Sequence, residues 1–305
     1  MSEVTQTGGK SGIFGWMTNL VHLRRLAIHF GIFAAFMSVW EWASRTGRLN
    51  DLIMPGPSAI ADAIWRLYFA TGEIYWHFFV TMFEAVAGFT IGGLIGLGLA
   101  IAAALSLTFR RYIAPYAVAL NVTPGIAVTP IFIAWFGFGW NSKIALASLI
   151  VFFPIFVNTL SGLLRVDRDT MELFRSLGAK KSQIFFKLML PEAAPMMFAG
   201  FKVAITTALV GAIVAEFASA TEGIGILMQR YAHRLDIAAS IAVLFSMSLM
   251  GLILYTLMEM TDRRVVFWQH ADRLDRVGHR RFNKLMRLRS KGSRKPVALS
   301  RGAED

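Results

Sequence analysis

The stretch Met171–Pro191, MELFRSLGAKKSQIFFKLMLP, decides how this chain is read. It is a charged island between long apolar runs, with Glu172, Gly178, Leu188, Leu190 and Pro191 as its punctuation. Asp169, followed three residues later by Glu172, makes a capping-box-like start, and Gly178 supplies a left-handed stop, so the spacing predicts one short helix. Ser182 is placed to open a second helix that ends before Pro191. Leu173, Phe174 and Leu177 form a small apolar ridge on an otherwise charged first helix, which water disfavours leaving bare. A partner surface is the expected cover; an interfacial loop without a partner is the plainer alternative.

Of the 305 residues, 55% are hydrophobic and only 16% are charged. Soluble domains carry about 25% charged residues, so the composition is that of an integral membrane protein. An all-α fold is expected, because six stretches are long enough to cross the hydrocarbon as helices of about 17 to 25 residues. They lie at about Leu26–Ala43, Phe83–Leu107, Pro115–Phe136, Ile144–Leu164, Met197–Ala215 and Ile237–Met260. The chain divides into an N-terminal segment, 1–25, a spanning domain, 26–260, with the charged loop at about 165–192, and a basic tail, 261–305.

Basic residues are retained on the cytoplasmic face. With the N-terminus inside, the cytoplasmic segments hold 24 Lys and Arg and the outer loops 6, Lys202 lying within a span. Both termini and the Glu172 loop are therefore expected in the cytoplasm. No cysteine is present, so the redox compartment is unreadable. Residues 1–25 lack the apolar run and cleavage pattern of a signal peptide, and the first span is read as retained.

The Glu172–Pro191 segment resembles the cytoplasmic loop of permease subunits of ATP-binding-cassette importers, whose pattern is Glu-Ala-Ala, three residues, Gly, nine residues, Ile-x-Leu-Pro. Leu173 and Phe174 replace the two alanines and Leu188 the isoleucine, which keeps apolar character and adds volume. The resemblance implies a six-span, type I importer-like permease whose ATPase-coupling residues are Glu172, Leu173, Phe174, Leu177, Gly178, Ala179, Leu188, Leu190 and Pro191. It further implies a homodimer in a bacterial inner membrane, an ATPase dimer that carries the ATP and Mg²⁺, and an extracytoplasmic solute-binding protein. No cofactor is expected in this chain. Pro55 and Pro57 after the first span, with Trp40-Glu41 before them, are similar to permeases for nitrate, sulfonates and taurine. The solute stays open among organic anions, a pyrimidine vitamin precursor and a flavin.

Ser58 can cap a short helix carrying Ile60, Ile64, Trp65 and Tyr68, suited to the membrane surface. Polar groups inside a bilayer face cavities or neighbouring helices, which nominates Asn121, Thr123, Thr129, Asn158, Thr206 and Glu216 for a solute path. Pro124, Gly125 and Pro130 interrupt the helix that carries the first three. Helix-to-helix hydrogen bonding is the plainer reading of each. Glu41 and Glu84, near span ends where solvation is easy, receive no role. Gly88, Gly92 and Gly96 allow close helix approach, within the subunit or at a dimer seam. Gly223 is read as a tolerant loop position.

Other chemistries find little support. GGKSG at Gly8–Gly12 lacks the first glycine of a phosphate loop, Val4 standing there, and no strand precedes it. The six histidines have no metal-ligand spacing, and no nucleophile-plus-base set argues for an enzyme. The basic tail, with interleaved Leu, Met and Phe, suits anionic lipid headgroups rather than nucleic acid. A secondary transporter would need an acidic coupling group near the midplane, and none is clearly placed there.

Overall fold

In the computed structural model, which describes residues 11–219 and 221–268, every regular element is helical. The order is α1 (Ser11–Arg45), α2 (Pro57–Trp65, running into a π turn at Arg66–Ala70), α3 (Glu73–Leu105), α4 (Leu107–Val122) and α5 (Gly125–Phe136). Then follow α6 (Trp140–Leu163), α7 (Arg168–Ser176), α8 (Lys181–Ile184, with a π turn at Phe185–Met189), α9 (Leu190–Ser219), α10 (Ile224–His233) and α11 (Ile237–Val265). The glycine-rich segment at Gly8 and most of the basic tail lie outside the described residues.

Among the described residues, five helical stretches are long and apolar enough to cross a membrane: Leu26–Arg45, Glu73–Leu105, Trp140–Leu163, Lys181–Ser219 and Ile237–Val265. The remaining expected span, Pro115–Phe136, falls on a bent pair, α4 and α5 meeting at 99°. Pro124 is the cause: it forces Thr123 into extended backbone, so α4 stops there and α5 restarts with Pro124 as its N-cap. Two further boundaries differ from expectation. The second crossing begins at Glu73, ten residues before Phe83, because no breaker follows Gly72. The fifth passes through Pro191 instead of starting after it. The Leu190 N–H bonds back five residues to Phe185, and this widened turn lets the helix run on into the proline.

The described residues fall into two compact units. One comprises residues 11–81 and 221–249. Its core gathers Ile60, Ala63, Leu67 and Ile74 with Ile224, Leu227 and Val243. Helix α2 is capped from a distance: Glu41 on α1 accepts the Ser58 N–H at 3.0 Å and the Ser58 hydroxyl at 2.7 Å. Ser58 is thus the capped residue and not the cap, and Glu41, given no role from sequence, does the capping. The start of α10 is served in the same way. His77 Nδ1 accepts the Gly223 N–H at 2.9 Å and the Thr81 hydroxyl accepts the Ile224 N–H at 2.8 Å. Gly223 has φ +116°, so it is not the tolerant loop position expected. Tyr231 donates to Glu73 at 2.7 Å; burial first, then this bond, pushes its hydroxyl pKa up to about 12.

The second unit comprises residues 82–219 and 250–268, with α6 at its centre. On one side, Gly88, Gly92 and Gly96 of α3 press against Ala147, Ser148 and Phe152 of α6. On the other, α9 runs antiparallel, Gly162 facing Ala193, Asn158 facing Gly200 and Ala147 facing Gly211. The glycine run of α3 therefore serves packing within the subunit. Lys202, the cation inside the fifth span, pairs with Asp262 of α11 at 2.7 Å.

Candidate functional site

The charged loop folds as two arms of different character. Helix α7 is N-capped by Asp167, whose carboxylate accepts the Thr170 N–H and hydroxyl, each at 3.0 Å. Those two bonds hold the Asp167 carboxyl below the usual range for its type. The expected cap formed by Asp169 and Glu172 is thus corrected by two residues: Asp167 is the residue with extended backbone ahead of the helix. The stop is as expected. Gly178 has φ +72°, its N–H bonds to Arg175 O, and the Ala179 N–H bonds to Phe174 O at 3.0 Å, closing a Schellman turn.

Helix α8 starts at Lys181, one residue before Ser182, with Gln183 Oε1 accepting the Lys180 N–H at 2.8 Å. This arm is rooted in the bundle. Ile184 is buried, and Phe185, Met189 and Leu190 pack against Leu163, Ala193 and Met197. The α7 arm is presented instead: Leu173 is 57% and Leu177 77% exposed, Phe174 and Ala179 are half-buried, and Glu172 is exposed. Leu188 and Pro191 are half-buried, like Leu190. The loop therefore offers a short, doubly capped amphipathic knob on an anchored stalk.

The six path residues separate. Asn121 and Thr123 line one cleft of about 290 Å³ at the α4–α5 break, closed by Leu149 and Ile150 of α6. Thr129 is buried and back-bonds to Gly125 O at 3.1 Å; Thr123 and Thr206 likewise bond their own helices. Asn158 donates to Pro154 O at 2.8 Å. Glu216 is buried, with Lys143 as a neighbouring charge. Glu84, expected to be solvated, is equally buried. A second, apolar groove of about 730 Å³ runs along α3, α4, α5 and α6, lined by Ile91, Leu99, Tyr116, Phe132, Ile144 and Phe152. Sequence reasoning passed over Lys143, Glu84 and Glu41; an acidic residue two or three turns inside a long apolar helix was the signal available for Glu84.

Five long apolar helices and one broken pair, with a capped knob between the third and fourth of the long helices, define a membrane-spanning protein among the described residues. The chain belongs to the family described as binding-protein-dependent transport system inner membrane component, whose model matches residues 92–267. It is therefore a permease component of a binding-protein-dependent importer. It is 32% identical over 235 residues to a putative aliphatic sulfonates transport permease of Escherichia coli K12, covering 77% of this chain and 89% of the relative. It is 30% identical to the formylaminopyrimidine transport permease of Halalkalibacterium halodurans, covering 78% of this chain and 94% of the relative. It is 31% identical to a riboflavin transport system permease of Chloroflexus aurantiacus, covering 75% of this chain and 85% of the relative. In fold it is similar to a chain of the inward-facing MetNI methionine ABC transporter, with a TM-score of 0.55 and 18% identity over 64% of this chain and 97% of that one.

Proposed function

We propose that this permease works as a homodimer, with the α7 knob seated in a partner ATPase dimer that binds ATP and Mg²⁺ and with an extracytoplasmic binding protein delivering a small organic solute. The observation that carries this reading is the exposed pair Leu173 and Leu177 on a helix capped at both ends. A nine-residue helix is too short to be stable by propensity alone, so its two caps and the rooted α8 arm fix an apolar ridge where a partner can bury it. Within the loop, Glu172, Leu173, Phe174, Leu177, Gly178 and Ala179 shape the contact, while Leu188, Leu190 and Pro191 anchor it. Both termini lie in the cytoplasm, as the distribution of basic residues directs.

Nucleotide-driven closure of the ATPase pair pushes on α7, and the push passes through the α8 arm into α9 and α6. The break at Thr123-Pro124 and the prolines within α6 and α9 are the places where the bundle bends. The solute is of the sulfonate, pyrimidine or flavin class carried by the named relatives, and Asn121 and Thr123 are its first polar contacts at the α4–α5 break. The testing experiment purifies the permease with the ATPase encoded beside it and assays solute uptake with ATP in vesicles. Stable co-purification and ATP-dependent uptake are expected; uptake that persists in a strain lacking every candidate ATPase contradicts the proposal.

A further inference from the structure

Three ionisable side chains from three helices meet inside the second unit. Glu84 of α3 and Glu216 of α9 are fully buried and Lys143 of α6 is 2% exposed. Both carboxylates pull electrostatically on the Lys143 ammonium. Burying such charges is expensive, and an apolar trio of similar volume commonly packs with no loss of stability, so stability alone does not account for them.

What the ammonium holds is the turn between α5 and α6. Lys143 Nζ donates to Phe138 O at 2.7 Å and to Gly139 O at 3.0 Å. That turn has little packing of its own: Phe138 is 71% exposed, and a Cβ on Gly137 or Gly139 would meet nothing within 4 Å. The body behind the lysine is firm, because Ala147, one turn along, is gripped by Gly88 of α3 and Gly211 of α9. The cluster lies at the end of α6 away from the coupling loop, twenty residues or about 30 Å from Leu163.

We propose that Lys143, with Glu84 and Glu216 as its neighbouring acidic groups, is a positioning residue that clamps the α5–α6 turn and so fixes the far end of the broken crossing during transport. The glutamates act through the lysine; none of the three touches the solute. The assignment rests on the transport reading above. With the turn clamped, the α5–α6 junction adds no bend of its own, and the end of α5 follows the start of α6. Without the clamp, the push from α7 would be lost in a loose turn, and ATP would be hydrolysed without matching solute movement.

The chain has no cysteine, so Phe138→Cys provides a single thiol for a spin label. The experiment uses the complete transporter in liposomes. In the otherwise native protein the label is expected to give a restricted line shape in spite of the exposure of its site. In the neutral triple variant Glu84→Gln/Lys143→Met/Glu216→Gln the line shape should become mobile. Solute moved per ATP should fall about tenfold, the effect of losing one hydrogen bond to a charged group. Lys143→Arg, which keeps charge and donors, should restore most of both. A mobile label in the native background overturns the proposal, as does a triple variant with restricted label and native coupling. Failure of the triple variant to reach the membrane assigns the cluster to folding and equally overturns it. The label reads the turn whether or not ATP is hydrolysed, so absence of uptake in the native transporter counts against the transport reading and not against the clamp.

Discussion

Gly92 of α3 lies so close to Ser148 of α6 that a Cβ on the glycine would overlap the serine's carbonyl oxygen. The contact is backbone against backbone, so no side-chain movement can relieve it. Gly92→Leu should therefore part α3 from α6 and lower the membrane abundance of the folded permease several-fold, in line with the roughly 1 to 3 kcal/mol cost of overpacking or more. On the same helix, a Cβ at Gly98 would meet nothing within 4 Å, which makes Gly98 the matched control. Equal abundance of Gly92→Leu and Gly98→Leu would mean that the seam is loose.

The orientation is open to direct test. Reporters fused after Gly178 and at the C-terminus should score cytoplasmic, and one at Gly72, between α2 and α3, external. The reverse pattern would place the knob on the wrong side for any ATPase.

Leu235 carries a cost that the fold retains. It follows α10 in the left-handed conformation, φ 59°, with its N–H bonded to Ala232 O and the Asp236 N–H bonded to Tyr231 O. Glycine fits that position without the Cβ clash, so Leu235→Gly should raise stability by up to about 1 kcal/mol. Thermal unfolding of the purified permease is the measurement, and a lowered midpoint contradicts the account.

Asp167 sets the acid limit of the knob. Its carboxyl pKa is depressed in the folded protein, so the cap's contribution is complete above the ordinary carboxylate pKa and is lost only as pH falls through the lower, folded value. ATPase binding should thus be flat between about pH 6 and 8 as far as this cap is concerned, while Asp167→Ala weakens it at every pH in that window. A pH dependence over that range that is present in the native protein and absent from Asp167→Ala would contradict the account.

Local signals were legible in the sequence, and distant pairings were not. Gly178 as a left-handed stop, the apolar ridge of α7 and the close approach at Gly92 each follow from residues a few positions apart. The α2 cap did not, because Glu41 reaches Ser58 across seventeen positions and nothing at Ser58 itself distinguishes capping from being capped. Glu84 was misread through a boundary. With the helix beginning at Glu73 it stands three turns inside α3, where it is buried and Lys143 is a neighbouring charge. Pro191 reads as a terminator by local rules, but the preceding π turn carries the helix past it. The α4–α5 break was visible as Pro124 and Gly125, whereas its 99° angle depends on tertiary packing.

The coupling assignment is tested most directly at Gly178. A Cβ there meets nothing within 4 Å, so a substitution acts only through the backbone, held at φ +72°. Valine at that angle costs on the order of 1 kcal/mol or more, while asparagine tolerates it. The measurement compares Gly178→Val with Gly178→Asn in one strain for membrane abundance, ATPase co-purification and solute uptake. Normal abundance of both, with ATPase association and uptake lost in the valine variant and kept in the asparagine variant, is the predicted result. Full uptake and full ATPase association in Gly178→Val would contradict the assignment of α7 as the coupling element.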